Sequence, residues 1–242
     1  PFFMNDKLNK KVVVIIPARS GSKGIKNKNI ISVCDKPLIY WSIQHALNSK
    51  YISSVWVSSD GEEILDLARK YGANTIKRPQ LLSGNSASSE SAWIHAYEEI
   101  KKQGEEFDLI LGMQATSPIR ESKDLDAAIE KFVDCGYDSL FSACSMKDFF
   151  IWKRVDKKYT PVNYDANNRK HRQDIEKSFL ENGSFYLFKS DMFLKKKNRL
   201  FGKIGVYEME DHKMFQIDEP SDVKLCESIM KGYGLDIKRV KF

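Results

Sequence analysis

The sequence has few cysteines and histidines, and they form no metal-binding or disulfide pattern. Its four cysteines contain no C-x-x-C pair, and its four histidines contain no H-x-x-x-H. We therefore expect no zinc site and free thiols in a reducing compartment. Apolar runs are short as well: the longest, residues 12–16 (VVVII), suits a strand, whereas a membrane-spanning helix needs about 20 apolar residues. A cytoplasmic protein without a membrane partner is expected.

A secretion signal is not predicted either. Residues 1–3 precede Met4, where we expect the natural chain to begin, and no charged and apolar leader follows it. The length of 242 residues suits one large α/β domain, or one domain with a small excursion.

The net charge of +6 is spread over the whole chain. Such basicity suggests a nucleic-acid-binding protein, but no zinc finger, RNP motif or clustered basic helix supports that class. The same surplus of positive charge suits a site for a triphosphate and a sugar carboxylate. Charge alone does not separate the two classes; the motifs favour the second, and we expect no nucleic-acid partner.

Apolar and amphipathic stretches alternate along most of the chain. They predict strands at residues 11–16, 54–59, 75–76, 107–113, 138–144, 184–188 and 205–209, and helices at 37–49, 88–102, 122–133 and 219–230. Another helix is predicted after Asp60, as its N-cap, with Glu63 completing a capping box. This alternation predicts an α/β fold with a doubly wound, mostly parallel sheet. Ligands bind beyond the carboxyl ends of such strands, so the loop after Ile16 is the first candidate site.

Residues 147–182 interrupt the alternation. They are rich in Lys, Arg, Asp and Asn, with short apolar patches such as residues 149–152 (FFIW). The segment is too charged to form a core of its own, so its aromatic side chains argue for packing on a partner. We predict an α/β domain of residues 4–146 and 183–242, and a small protruding arm of residues 147–182 that joins two chains into a homodimer and helps to close the partner's site.

The loop of residues 17–29 has the composition of an anion site. Gly21 and Gly24 allow an anion to approach the backbone N–H groups closely, and Arg19, Lys23 and Lys28 add positive charge. The loop is neither a Walker A motif nor G-x-G-x-x-G. A solvated loop with turn glycines is the alternative, but the position directly after a buried strand favours a triphosphate site.

This loop, I-P-A-R-S-G-S-K-G-I-x-x-K-N in residues 16–29, closely resembles the opening motif of the CMP-sialic acid synthetases, the N-acylneuraminate or nonulosonate cytidylyltransferases. It resembles the CMP-Kdo synthetases more loosely. Further segments resemble the sialic acid family in the same order along the chain: 57–60 (VSSD), 78–79 (RP) with 88–89 (SS), 114–120 (QATSPIR), 142–144 (SAC), 172–173 (RQ) with 182–183 (NG), and 217–218 (ID). Because the matches keep their order over nearly the whole chain, the resemblance is specific.

The resemblance implies a nucleotidyltransferase and assigns its residues. The implied reaction transfers CMP from CTP to the anomeric hydroxyl of a nine-carbon α-keto sugar acid of the sialic acid type and releases pyrophosphate. The implied nucleotide-binding residues are Ala18, Arg19, Ser22, Lys23, Asn29, Arg78 and Ser89. Lys23 and Arg19 are also the implied catalytic residues, because positive charge there offsets the charge that grows on the phosphates during transfer.

The resemblance also implies a sugar site and a metal. The sugar-binding residues are Gln114, Thr116, Lys153, Arg172 and Asn182, with Arg172 and Lys153 at the sugar carboxylate. Mg²⁺, with Mn²⁺ as a substitute, is the implied cofactor, and Asp218 is its implied ligand. Asp218 precedes Glu219 and Pro220, so a helix N-cap is an equal interpretation of this aspartate.

The sequence departs from the family at the metal and sugar positions. The family often carries two aspartates as I-D-I-D, but here Gln216 replaces the first, leaving a carbonyl oxygen or a bridging water as the alternative ligand. Three more departures are Asn85, Ala115 and Leu180. These changes predict a variant nonulosonate, such as legionaminic or pseudaminic acid, as the substrate.

Two further hypotheses remain at this stage. A CMP-Kdo-type enzyme acting on an eight-carbon acid is disfavoured by the R-Q and N-G segments, which belong to the sialic acid branch. A nucleotide-sensing protein without activity is supported only by the missing carboxylate at Gln216.

Overall fold

A computed structural model describes residues 9–22, 24–84, 88–146 and 150–236, and at residue 172 the backbone only. Its strands are β1 Val12–Pro17, β2 Ser32–Val33, β3 Lys36–Pro37, β4 Ile52–Ser59, β5 Asn74–Lys77, β6 Leu109–Met113, β7 Ser139–Met146, β8 Trp152–Val155, β9 Lys158–Pro161, β10 Ser178–Lys189 and β11 Ile204–Met209. Its helices are α1 Leu38–Leu47, α2 Glu62–Lys70, α3 Ser89–Lys102, α4 Ser122–Asp134, α5 Ser190–Lys196 and α6 Pro220–Gly232. Short 3-10 helices lie at Lys28–Ile30, Gln80–Leu82, Arg172–Asp174 and Asp211–Met214.

Seven strands form the central sheet in the order β11-β7-β10-β6-β1-β4-β5. Neighbours run parallel except at β10, which is antiparallel to both β6 and β7. The β-branched run of β1 is fully buried because helices cover both faces: Val12 and Val14 pack in the cluster that contains α1 and α4, and Val13 packs in the cluster around Trp93 of α3. The predicted α/β fold with a mostly parallel sheet is confirmed.

The carboxyl ends of β1, β4 and β6 meet at one edge of the sheet. The bulge of antiparallel β10 lies at the same edge, since Phe185 pairs with Met113 and the Gln114 N–H donates to the Ser184 carbonyl at 3.2 Å. Four separate chain segments therefore converge there, as parallel topology predicts.

The strand predicted at residues 184–188 begins six residues earlier, at Ser178. Residues 178–181, assigned from the sequence to the arm, pair with β7 and extend the main sheet. Gly183, with φ of 65°, forms a bulge inside this continuous strand. Helix α5 and the β2–β3 hairpin were not predicted.

The rest of the arm contains an exposed two-stranded hairpin, β8–β9, in which Trp152 pairs with Pro161. Phe150 and Trp152 pack on Tyr164, with ring centroids 4.5 and 5.8 Å apart. Residues 147–149 of the predicted arm lie outside the described residues, and the division into domain and arm stays a prediction. None of the helices that the structure describes has the length and apolar character needed to cross a membrane.

Candidate active site

A cleft of about 640 Å³ opens at the carboxyl edge of the sheet, within the range of roughly 300–1,000 Å³ typical of small-molecule sites. It brings together eight residues predicted from the sequence: Arg19, Ser22, Asn29, Arg78, Ser89, Gln114, Thr116 and Asp218. Ala18 lies behind the cleft and is fully buried, and Lys153 lies on the exposed hairpin strand β8. Lys23 and the side chain of Arg172 lie outside what the structure describes.

Asp60 holds the glycine loop along one wall of the cleft. Its carboxylate accepts the Ser20 N–H at 2.9 Å and the Ser20 hydroxyl at 2.6 Å. Burial alone would raise the pKa of Asp60, but the hydrogen bonds from Ser20 outweigh it and lower the pKa. The prediction that Asp60 caps α2 is wrong: Gly61 is the N-cap and no side chain caps this helix, because the Asp60 carboxylate is engaged by Ser20.

Two further contacts fix the same loop. The Asn29 side-chain amide donates to the Arg19 carbonyl at 2.9 Å, and the Ala18 N–H donates to the Ser58 carbonyl at 2.9 Å. Arg19 itself reaches across the cleft and donates to the Gly84 carbonyl at 3.3 Å. These contacts hold the loop near both of its ends. Its cationic and hydroxyl side chains, Arg19, Lys28 and Ser22, line the cleft.

Gly24 and Lys28 join this loop to the segment of Asp218. A Cβ atom on Gly24 would lie 2.3 Å from the Asp218 carbonyl oxygen, so only glycine permits this approach. The Lys28 ammonium lies 2.8 Å from the Asp218 carboxylate. The interpretation of Asp218 as an N-cap is wrong, because Glu219 caps α6 and the Asp222 carboxylate accepts the N–H groups of both 218 and 219.

Arg78 and the start of α3 complete the wall formed by the glycine loop. Arg78 is buried, and its side-chain Nε donates to the Ser83 hydroxyl at 3.0 Å. Its backbone N–H donates to the Ser59 carbonyl at 2.8 Å. Burial lowers the pKa of Arg78, although a guanidinium stays protonated at neutral pH. Ser88 caps α3 by accepting the Ser91 N–H, so Ser89 stands in its first turn, where backbone N–H groups favour anions.

The opposite wall is shaped by a residue that sequence reasoning left out. Arg120 is fully buried and donates to the carbonyls of Gln114, at 2.6 Å, and Ser117, at 3.0 Å. Burial lowers the pKa of Arg120 to about 9. These hydrogen bonds from Arg120 fix the backbone of the loop that contains Gln114 and Thr116. The Ile217 N–H also donates to the Thr116 carbonyl of this loop, at 2.8 Å. The motif contained the arginine, but no sequence signal indicated its burial.

Gln114 and Gln216 converge over Gly183. A Cβ atom on Gly183 would lie 3.2 Å from Gln114 Oε1 and 3.4 Å from Gln216 Oε1. Both carboxamides line the cleft, so this end of it offers neutral hydrogen-bond donors and acceptors.

The donor set fits a magnesium ion held jointly with a nucleotide. Mg²⁺ takes oxygen ligands, keeps several waters and is usually bound through one or two carboxylates plus substrate phosphates. Asp218 and the neighbouring Gln216 supply oxygens of this kind at the cleft. Among the residues that the structure describes, no three His, Cys, Asp or Glu side chains cluster as an all-protein metal cage.

Asn182, implied as a sugar ligand, is buried and does not line the cleft. Its Oδ1 accepts the Ser142 hydroxyl at 2.7 Å and the Ser184 N–H at 3.2 Å, while its Nδ2 donates to the Lys213 carbonyl at 2.9 Å. Its polar atoms are therefore used inside the protein.

The sequence is similar to known cytidylyltransferases over most of its length. A model of the cytidylyltransferase family matches residues 13–238. The N-acylneuraminate cytidylyltransferase A of Danio rerio is 36% identical over 230 residues, which cover 93% of this chain and 52% of that protein, so this chain spans about half its length. The post-translational flagellin modification protein B of Campylobacter coli is 33% identical over 237 residues, covering 94% of this chain and 98% of that protein. A pseudaminic acid cytidylyltransferase of Campylobacter jejuni is 33% identical over 227 residues, covering 91% and 97%.

Among solved structures, a CMP:2-keto-3-deoxy-manno-octonic acid synthetase in complex with CTP superposes with a TM-score of 0.69. The alignment covers 92% of this chain and 99% of that chain at 16% identity, which shows a shared fold. Matched by the family model over most of its length and by relatives of similar length at 33% identity, the chain belongs to the cytidylyltransferase family.

Proposed function

We propose that this protein transfers CMP from CTP to the anomeric hydroxyl of a nonulosonic acid and releases pyrophosphate. The observation that carries this proposal is the cleft itself, which joins a basic glycine loop on one wall to a neutral carboxamide wall on the other. The first wall suits a triphosphate and the second suits a polyhydroxylated sugar. Membership of the cytidylyltransferase family makes CTP the expected nucleotide.

On the nucleotide side, Arg19 and Ser22 hold the triphosphate, and Lys23 is the proposed catalytic cation. Asn29, Arg78 and Ser89 hold the cytidine. The support is positional: Arg19, Ser22, Asn29, Arg78 and Ser89 all line the cleft. The Arg19 contact to Gly84 brings the phosphate loop to the segment that leads into α3. Fixed positive charge of this kind stabilises the charge that develops during phosphoryl-type transfer.

In the reaction, the sugar's anomeric oxygen attacks the α-phosphorus, its proton passes to solvent or a nearby base, and the bond to pyrophosphate breaks. Asp218, with Gln216 beside it, would hold Mg²⁺ or Mn²⁺, which supplies charge neutralisation at the phosphates. Lys28 orients the Asp218 carboxylate through their 2.8 Å ion pair. The chain contributes mainly by aligning the two reactants.

On the sugar side, Gln114, Thr116 and Gln216 bind hydroxyl and acyl groups. The two relatives named as cytidylyltransferases act, by name, on N-acylneuraminate and pseudaminic acid, which supports a nine-carbon acid over an eight-carbon one. The likeness to the octonic acid synthetase concerns the fold and does not favour its substrate. Two carboxamides over Gly183, where the family often has a carboxylate at position 216, favour a variant substituent pattern on the sugar.

The arm is proposed to form a homodimer. Large apolar side chains on and beside the β8–β9 hairpin are 42–65% exposed: Ile151, Trp152, Val155, Tyr159 and Val162. Exposed apolar side chains so close together are typical of an interaction surface. Burying the arms on each other's subunits would also bring Lys153 and Arg172 to the partner's cleft as the proposed carboxylate ligands.

The test is pyrophosphate release from CTP, ATP, GTP and UTP with N-acetylneuraminate, legionaminate, pseudaminate and Kdo as acceptors. We expect release with CTP and one of the three nine-carbon acids, in the presence of Mg²⁺. Asp218→Asn is the matched control, since it removes the proposed metal ligand with little change in volume. Turnover with Kdo alone, or equal turnover with all four nucleotides, would contradict the proposal.

A further inference from the structure

A fully buried lysine lies between the two segments that form the sugar side of the cleft. The Lys213 side chain is 0% exposed, and its ammonium lies 2.9 Å from Asp124, 3.0 Å from Glu121 and 2.7 Å from Glu210. Burial acts to lower the pKa of Lys213, but the three carboxylates outweigh it and raise the pKa above its ordinary value. The lysine is therefore charged at neutral pH, as a buried charge with this many partners can be.

The residues of this ion cluster come from two chain segments that lie next to lining residues of the cleft. Lys213 belongs to the 3-10 helix Asp211–Met214, just before Gln216 and Asp218. Glu121 and Asp124 form the capping box of α4, just after the loop of Gln114 and Thr116. The ion cluster therefore fastens one sugar-side segment to the other, next to the hydrogen bond between Ile217 and Thr116.

Asn182 fixes Lys213 from the side of the sheet. Its amide donates to the Lys213 carbonyl at 2.9 Å, while its oxygen is held by Ser142 of β7 and the N–H of Ser184. Since Gly183 follows directly, the bulge of β10 is held in register with the segment of Gln216.

We propose that Lys213 and Asn182 are positioning residues, which set the separation between the Gln114–Thr116 loop and the Gln216–Asp218 segment without touching a substrate. The inference rests on the proposed function, which places the sugar acid and the metal-bound phosphates between these segments. It replaces the sequence expectation that Asn182 binds the sugar.

The nucleotide wall meets this side of the cleft where Gly24 lies against the Asp218 carbonyl, and the Asp222 carboxylate holds the backbone there. The other contacts of that wall do not involve the cluster. The loop of that wall is held by Asp60, and Arg78 is held by Ser59 and Ser83. Loss of the Lys213 contacts should therefore act on the sugar side and leave metal-free CTP binding unchanged.

The first variant is Lys213→Met, which keeps the apolar stem and removes the charge. We expect kcat/KM for the sugar acid to fall on the order of 100-fold, because a displacement of about 1 Å can cost that much. CTP affinity, measured by calorimetry with EDTA present, stays at the wild-type value. Because Lys213→Met leaves the buried Asp124 carboxylate without its ion pair, the double variant Lys213→Met/Asp124→Asn serves as the folded alternative and is expected to show the same split.

Amide hydrogen exchange by mass spectrometry separates positioning from general destabilisation. In both variants we expect faster exchange confined to residues 114–121 and 211–218. Lys189→Met is the control, since it breaks a 2.7 Å ion pair with Asp138 at the opposite edge of the sheet and should leave both segments and the sugar KM unchanged. Faster exchange over the whole sheet, unchanged exchange in both segments, or weaker metal-free CTP binding would overturn the proposal.

Asn182→Asp tests the second residue. It keeps the shape and the acceptor oxygen but replaces the donor to the Lys213 carbonyl. We expect faster exchange in residues 211–218; a raised sugar KM with unchanged exchange there would mean that Asn182 contacts the sugar instead. If wild-type protein turns over none of the sugar acids, the proposed function fails, but the exchange and CTP measurements on the variants still decide the positioning role.

Discussion

Gly24→Ala should displace the phosphate loop, whereas Gly21→Ala should not. A Cβ atom on residue 24 would lie 2.3 Å from the Asp218 carbonyl oxygen, and real Cβ atoms come no closer than 3.0 Å, so the two groups must separate by at least 0.7 Å. A Cβ atom on residue 21 meets nothing within 4 Å. Neither glycine has a positive φ, so the difference between the two variants reports the contact alone.

The group that moves is expected to be the loop. The Asp218 carbonyl belongs to backbone held on both sides, by the Asp222 carboxylate on the 218 N–H and by the Thr116 carbonyl on the Ile217 N–H. Overpacking of this kind costs about 1–3 kcal/mol of folding free energy. A shift approaching 1 Å in a loop that aligns the phosphates can lower the rate by up to about 100-fold.

The assay is kcat/KM for CTP together with the thermal midpoint of each variant. We expect Gly24→Ala to lose most of its kcat/KM with a small drop in midpoint, and Gly21→Ala to match wild type in both. Wild-type activity in Gly24→Ala, or equal losses in the two variants, would refute the claim that the loop seats directly on the Asp218 backbone.

Three further outcomes are expected. Ser20→Ala should weaken CTP binding measured by calorimetry. Contacts from Ser20 lower the folded-state pKa of Asp60, so the stability they add is present above the carboxyl's unfolded pKa and is lost as pH falls through the lower folded value. A plot of the thermal midpoint against pH should therefore be flatter for the variant. Asp218→Asn should raise the Mg²⁺ concentration for half-maximal activity. It should not weaken metal-free CTP binding, because the Lys28 ammonium loses its carboxylate partner and keeps its positive charge for the phosphates. An unchanged Mg²⁺ requirement would exclude the aspartate as a ligand. Trp152→Ser should weaken the proposed dimer, because full burial of such a side chain stabilises an interface by about 1.5–3 kcal/mol or more. Light scattering across a dilution series measures this. A wild-type protein that is monomeric at micromolar concentration would contradict the dimer proposal.

The sheet and the position of the glycine loop at the cleft could be predicted because their signals are local in sequence. The buried β-branched run of β1 and the glycine-rich loop after it are contiguous, and parallel topology places that loop at the ligand-binding edge. The loop's composition pointed to Arg19 for this reason, whereas Asn29 was implied by the family resemblance; both line the cleft. Their contacts with each other span only ten residues of chain.

Asp60 was misassigned because its true partner is distant in sequence. An aspartate before a helix, with glutamate three residues later, fits a capping box, but Ser20 lies 40 residues away and engages the carboxylate. Tertiary contact overrode a local preference here. The bulge at Gly183 depends on distant partners as well, since Asn182 beside it bonds to Ser142 and Lys213.

The burial of Arg120 and Lys213 could not be predicted from the sequence, for a different reason. Lysine and arginine are almost never fully buried unless they are paired, so each is expected at the surface by default. Their burial follows from backbone carbonyls and carboxylates that only the folded chain assembles. A motif can contain such a residue without revealing that it shapes the site from behind.

The two halves of the cleft are therefore built differently, and this difference bears on how specificity can change. The nucleotide loop is one contiguous segment, and contacts with Asp60 and the Ser58 carbonyl hold it in place. The sugar side is assembled from the Gln114–Thr116 loop, the β10 bulge at Gly183 and the Gln216–Asp218 segment, joined by the buried Lys213 cluster. Substitutions at the lining positions 114 and 216 alter the groups offered to the sugar, while the buried cluster keeps the separation of the walls. A change of sugar substrate is thus expected to need new carboxamide or carboxylate side chains at these lining positions and no change at Lys213, Asp124 or Asn182.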